Sequence, residues 1–356
     1  MPPRVIFPRN AILEKGALAV AKNGRSMSDQ LSLTMALSDY DHTRDLTSGR
    51  VPVEGISLTC LDFQVEEIFY RSLKFQEFDV CELSFGKYIS LVSQGDTTFS
   101  AIPVFPSRVF RHSSGYVLRD GPVKSVDDLR GRRIGLPEWA QTAAVYSRGF
   151  LVGQYGLKLT DVAWVQAGVN DAGREEKVEL RLPPGVKLQP VRDKNLNDLL
   201  LSGEIAAVFA AHPPAAFEHG DPRVVRLIQD YQTVEQAYFE ATGIFPIMHV
   251  LAIKRPILER NPWVARNLYK AFEAAKQRSY ARASEATASR FPIPWGVYYF
   301  DRARELFGPD PFPYGIEPNR VTLDAFATFA YEQGVAHRRV DINELFWPTM
   351  AGSFRV

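Results

Sequence analysis

Thr98–Phe110, T-F-S-A-I-P-V-F-P-S-R-V-F, is the stretch that decides the fold. It is apolar and β-rich, yet Pro103 and Pro106 exclude a helix and a regular central strand. Read as extended chain, a run this long can leave one sheet and enter a second. Ile244–Lys254, I-F-P-I-M-H-V-L-A-I-K, mirrors it. Ahead of the first run, Leu31–Leu37, Ile56–Phe63 and Phe78–Ser84 read as strands, with helical apolar spacing over 65–73 and 84–95. Between the runs, strands at Arg133–Pro137, Val162–Gln166, Ala206–Ala211 and Val224–Gln229 accompany helices at Ala140–Gly156 and Asn195–Gly203. The interval Lys177–Arg192, centred on Pro183-Pro184-Gly185, reads as an inserted hairpin. After the second run the chain is mostly helical, over Trp263–Arg282, Tyr298–Leu306 and Leu323–Glu332.

Strand–helix–strand alternation implies parallel sheet covered by helices. The expectation is an α/β chain of two βα lobes joined by two extended crossovers, with a helical C-terminal tail. Lobe 1 is read as residues 27–107 plus 250–356, and lobe 2 as residues 108–249, inserted into it. This is the bilobed architecture of periplasmic binding proteins (type II). Open α/β sheets bind ligands at the carboxyl ends of their strands, so the site is expected in the cleft between lobes.

The 356 residues are 46% hydrophobic and 23% charged, an ordinary globular composition. Basic and acidic residues nearly cancel, 42 against 41. That balance carries no electrostatic footprint for nucleic acid or an anionic membrane, so neither is expected as a partner. An anionic ligand must then be held by local positive groups. Two cysteines, Cys60 and Cys81, with no C-x-x-C pair, fit the cytoplasm. Residues 1–26 read as an N-terminal extension, disordered or a short helix leaning on the body. Glu14 and Lys15 split the apolar stretch that a secretory signal requires.

The candidate residues lie just past the strand ends. Four of the six histidines, His42, His112, His212 and His249, fall there, and imidazole is readily poised for proton transfer near neutral pH. Each also has a plain structural reading, as a core group bonded to a carbonyl or a residue shaping a turn. Arg108 and Arg111 on the first crossover can grip a carboxylate in a bidentate fork. Both reach one ligand only if the chain turns at Arg111, and one ligand contact plus one interlobe salt bridge is the alternative. Glu82 and Glu138 read as bases, as partners of the arginines, or as members of buried pairs. Ser84 opens a helix, and Thr142 starts another whose free N–H groups suit an anion. There is no G-x-G-x-x-G, Walker loop, G-x-S-x-G or H-E-x-x-H. A divalent metal on scattered residues (His42, His249, Glu82) is a further expectation, with no spacing to mark it.

These same segments resemble the 4,5-dihydroxyphthalate decarboxylase family. The resemblance rests on D-Y-D-H-T at 39–43, F-D-V-C-E-L-S at 78–84, I-P-V-F-P-S-R-V-F-R-H-S at 102–113, G-I-F-P-I-M-H at 243–249 and D-I-N-E-L-F-W-P at 341–348. It covers residues 30–350 and implies the periplasmic-binding-protein-like fold. It also implies a cytoplasmic enzyme of phthalate degradation that takes 4,5-dihydroxyphthalate to protocatechuate and CO2; a homo-oligomer is a separate expectation. No organic cofactor is required, because a phenolic oxygen para to the departing carboxylate supplies the electrons. In this reading His42 and His249 are the acid–base pair, with His112 a further catalytic candidate. Arg108 or Arg111 clamps carboxylate, assisted by Ser84, Glu82, Thr142, Glu138 and His212. The alternative is a solute-binding protein that holds a small aromatic or other organic anion without changing it.

Overall fold

A computed structural model describes residues 30–350. The extension read at 1–26 lies outside the described residues. The strands are β1 (Leu31–Ala36), β2 (Ile56–Leu61), β3 (Val80–Ser84), β4 (Phe99–Ile102), β5 (Gly115–Leu118), β6 (Arg133–Leu136), β7 (Ala163–Gly168), β8 (Lys187–Asn195), β9 (Ala207–Phe209), β10 (Val224–Arg226) and β11 (His249–Lys254). They form two sheets, ordered β2-β1-β3-β11-β4 and β10-β5-β9-β6-β7-β8. With the extra edge strand β8 set aside, the two orders read from β2 and from β7 are the same: second strand, first, third, one antiparallel strand, then the last. The antiparallel member is β11 in the first sheet and β5 in the second. Each is delivered from the other sheet by a crossover, so it enters against the run of its neighbours. The bilobed α/β fold of the sequence reading is therefore present.

The inner strands explain their own position. Val80-Cys81-Glu82-Leu83-Ser84 is buried throughout, as is Val250–Ile253, because helices cover both faces of the sheet. The two crossovers lie side by side, with Met248 N–H donating to Ser107 O at 2.8 Å and Val109 N–H to Pro246 O at 3.2 Å. Each long extended run is regular strand for only part of its length, Phe99–Ile102 and His249–Lys254. Pro103, Pro106 and Pro246 lack the N–H that a ladder needs, so the rest is irregular.

Two local readings are corrected. The hairpin expected at Lys177–Arg192 is absent: β8 is one strand, parallel to β7, and Arg181 N–H donates instead to Gly334 O. The segment finds its partner in the C-terminal tail, which a local turn signal cannot reveal. A helix at Tyr231–Thr242 went unread because only Tyr238 on it is buried, leaving little apolar period. The tail does more than return to the first sheet. On its Arg320–Glu332 helix, Phe326 stacks on Phe85 (4.5 Å between centroids) and packs on Tyr146 (4.8 Å), joining a helix of each lobe. Such aromatic pairs contribute about 0.5–1.5 kcal/mol each beyond area burial.

Candidate active site

A cavity of about 250 Å³ opens between the two sheets. Its wall is supplied from the carboxyl ends of strands in both. Tyr40 follows β1, Val65, Glu66 and Phe69 follow β2, and Ser84 ends β3. Gln141, Thr142 and Ala143 follow β6, Arg174 follows β7, and Ala211 and His212 follow β9. Ser107, Arg111, Met248 and His249 come from the two crossovers. A groove of about 360 Å³ elsewhere, between the Tyr231–Thr242 and Gly296–Phe307 helices, has no histidine or lysine on its wall. The cleft carries the chemistry.

Register builds the first functional unit. His249 on β11 lies opposite Ser84 on β3, so Glu82, two residues before Ser84, is its diagonal neighbour on the same face. His249 Nδ1 is 2.5 Å from Glu82 Oε1. Glu82 is fully buried and also accepts from Tyr40 O–H (2.6 Å) and Ser38 N–H (3.2 Å). A carboxylate only accepts, so this contact assigns the ring proton to Nδ1 and leaves Nε2 as the acceptor. Burial and the adjacent Glu82 charge push the Tyr40 hydroxyl well above its ordinary range, so it stays a donor to Glu82. Phe69 edges the imidazole ring at 5.0 Å and fixes its plane.

Positive groups form the second unit. Buried Lys87 pairs with Glu138 at 2.8 Å, and Arg174 pairs with the same carboxylate at 2.7 Å. Burial alone would raise the Glu138 carboxyl, but Lys87, Arg174 and Lys177 outweigh it and hold it below the ordinary range. Arg111 differs. Among the described residues it has no ion-pair partner, and its Nε approaches only Met248 Sδ, at 3.2 Å. Burial lowers its guanidinium to about 10, which still leaves it charged at neutral pH. It is the wall cation with no carboxylate within ion-pair distance among the described residues, although the Glu235 charge acts on it through space. Three helices, Val65–Phe75, Phe85–Ser93 and Thr142–Tyr155, also begin at this cavity, and their N-termini favour negative charge.

The lobes meet closely here. Gly86 N–H donates to Thr142 Oγ1 at 2.9 Å, and Ser84 Oγ lies 3.0 Å from the same atom. A Cβ on Gly86 would come within 2.4 Å of Ala140 O, so only glycine permits this approach. At the cavity's edge His212 Nε2 is 2.9 Å from Glu66 Oε1. That bond draws the Glu66 carboxyl down to about 2 and raises the His212 imidazole above its ordinary value.

Of the residues singled out in the sequence, Ser84, Arg111, Thr142, His212 and His249 meet on this wall. Five others do not. Arg108 is buried, donates to Phe245 O (2.8 Å) and Pro313 O (3.3 Å) and stacks over Phe245, tying a crossover to the tail. His112 is buried against Phe150, with Nε2 3.0 Å from Gln154 Oε1. His42 is enclosed by Tyr40, Phe312 and Tyr314, and burial drops its imidazole to about 4. Glu82 and Glu138 stand behind the wall and act through His249, Lys87 and Arg174. Among the described residues no three His, Cys, Asp or Glu side chains gather as a metal-ligand set, so His42, His249 and Glu82 do not form one.

Tyr40, Glu66, Phe69, Lys87, Ser107, Gln141 and Arg174 were missed. Lys87 was legible: three residues past Ser84 on one helix, it shares that face. Arg174 and Glu66 follow β7 and β2, where the strand-end rule applies equally. Arg174 was obscured because the region beside it read as a hairpin.

No protein-family model matches the chain. Over 328 residues, 92% of this chain and 99% of the relative, it is 37% identical to 4,5-dihydroxyphthalate decarboxylase of Comamonas testosteroni. The chain belongs to the 4,5-dihydroxyphthalate decarboxylase family. A second member, from Pseudomonas putida, is 38% identical over 214 residues, 60% of this chain and 83% of that one. Among solved structures, the periplasmic aliphatic sulphonate binding protein SsuA of Escherichia coli matches with a TM-score of 0.51. It covers 90% of this chain and 99% of its own at 15% identity, a likeness of fold alone. The chain thus carries the periplasmic-binding-protein-like architecture.

Proposed function

We propose that this protein is a carboxy-lyase that converts 4,5-dihydroxyphthalate to protocatechuate and CO2. Family membership supports the reaction, and one observation at the site supports the roles: an imidazole oriented by a buried carboxylate faces the same cavity as a guanidinium with no carboxylate in ion-pair contact among the described residues. Arg111 takes the carboxylate that is retained, aided by the Ser84 and Thr142 hydroxyls and the helix N-termini. His249 Nε2 removes the phenolic proton para to the departing carboxylate. Electron density then reaches the ring carbon bearing that carboxylate, which is protonated. The bond to the carboxylate breaks, its electron pair restores aromaticity, and CO2 leaves. Arg111 and Lys87 hold the diacid so that the ring lies between the lobes and away from bulk water.

The phenol supplies the electrons, so no organic cofactor is required, and the chelator comparison below decides whether a divalent metal assists. The test is product chromatography after incubation with 4,5-dihydroxyphthalate, with and without a strong chelator. Protocatechuate at enzymatic rates in both is expected; saturable binding with no product would convert the protein into a binding module. We also propose a cytoplasmic location and a homo-oligomer. The unpaired Cys60 and Cys81 support the first, and exposed Trp295, Tyr298 and Tyr299 the second. Among the described residues no helix is long and apolar enough to cross a membrane.

A further inference from the structure

Protonating the ring carbon needs an acid, and the chemistry restricts which group it can be. The phenolic oxygen and the carbon that loses its carboxylate lie at opposite ends of the ring. One imidazole cannot serve both in a single pose, so base and acid must face each other across the cavity. The net reaction also consumes a proton: a carboxylate and H+ become a ring C–H and CO2. The acid must therefore be recharged from solvent in every turnover.

His249 meets the needs of the base, because Glu82 holds its Nδ1–H and its side chain is only 16% exposed. The other donors on the wall fall away. Lys87 is buried and bound to Glu138, and the Tyr40 hydroxyl is committed to Glu82. The guanidiniums of Arg111 and Arg174 do not release protons at neutral pH. His212 remains. It follows β9 of the second sheet, whereas His249 begins β11 of the first, so the two stand on opposite walls of the cleft; its side chain is 66% exposed, open to solvent while lining the cavity. Its Nε2 is anchored to Glu66, which leaves Nδ1–H as the deliverable proton.

We propose that His212, held by Glu66 reaching across from the other lobe, is the catalytic acid that protonates the ring carbon. This rests on the decarboxylase reading. In the step, the His212 Nδ1–H bond breaks as the ring C–H bond forms. The bond to the carboxylate then breaks, its electron pair returns to the ring and CO2 departs. Neutral His212 takes a proton from water, and His249 returns its proton to the phenolate of the product. The charged groups facing His212 are Glu66 from the Val65–Phe75 helix, Arg174 from the loop after β7 and Arg111 from the first crossover. The Glu66 bond and charge outweigh burial and the two arginines, so the imidazolium is favoured relative to a free histidine. Glu66 is a positioning residue.

The test uses His212→Gln, which keeps a hydrogen-bonding group toward Glu66, and Glu66→Gln. With 4,5-dihydroxyphthalate, kcat of H212Q should fall about 10²-fold or more while KM changes little, and the alkaline limb of the kcat–pH profile should vanish. By microscopic reversibility the acid also removes the product's ring proton. Exchange of that protocatechuate C–H in D2O containing bicarbonate, where CO2 adds to the ring carbon before the proton leaves, should therefore occur with the wild type and be lost with H212Q. In E66Q the alkaline limb should move to lower pH, because the carboxylate that favours imidazolium is gone. H212Q with kcat within a few-fold of wild type, with only KM raised, or with D2O exchange intact would overturn the proposal. An E66Q profile identical to wild type would remove Glu66 from it. Failure of the wild type to form protocatechuate would instead overturn the decarboxylase reading itself.

Discussion

Glu82 and Glu138 lie near the carboxyl ends of β3 and β6, on opposite sides of one cavity, and both are fully buried. Their partners differ in kind. Glu82 receives a phenol, a backbone N–H and an imidazole, none of them a fixed charge. Glu138 gathers Lys87, Arg174 and Lys177. A buried carboxylate among neutral donors can orient a ring that exchanges protons. One among cations is an electrostatic pier, here tying Lys87 of one lobe to Arg174 of the other. The same residue type serves chemistry on one side of the cleft and cohesion on the other.

The sharpest way to break this contrast is to remove each charge separately. Glu138→Gln leaves Lys87 buried without its counter-charge, and about 3–5 kcal/mol of stability should be lost, read by urea unfolding. Glu82→Gln should spare most of that stability and lower kcat about 10²-fold, roughly 2.7 kcal/mol of barrier, because the His249 tautomer is no longer held. Equal loss of stability in the two variants would erase the distinction. Arg111→Lys keeps the charge but not the fork; KM should rise about 10-fold with a smaller change in kcat. His42 lies off the cavity wall, and its effect is on stability alone. Its folded imidazole titrates near 4 against 6.5 when unfolded, so the unfolded chain binds the proton more readily in between. Stability should fall as pH drops through 6.5 toward 4, and His42→Asn should flatten that slope while leaving turnover within a few-fold.

Much of the fold was legible because its signals are local. Apolar period and proline placement marked most strands and the two crossovers. The site was half legible. Ser84, Arg111, Thr142, His212 and His249 stand at strand ends that the α/β rule singles out. Arg108 and His112 stand on equally good segments yet face inward, toward Phe245 and Phe150. Arg108 and Arg111 are three positions apart, and extended chain places such residues on opposite faces. Spacing therefore separates the two, but it does not say which enters the core and which the cavity.

Sequence alone determined the two-lobed order of elements, the crossovers, the polar loops at the cleft and the family. Each depends on residues close in sequence or on a matched motif. Tertiary structure alone decided which polar side chains share the cavity. Glu82 reaches His249 across 167 positions, and Glu66 reaches His212 across 146. Such pairs are made when β11 inserts beside β3 and the lobes close face to face, and those through-space relations leave no periodic trace in the chain.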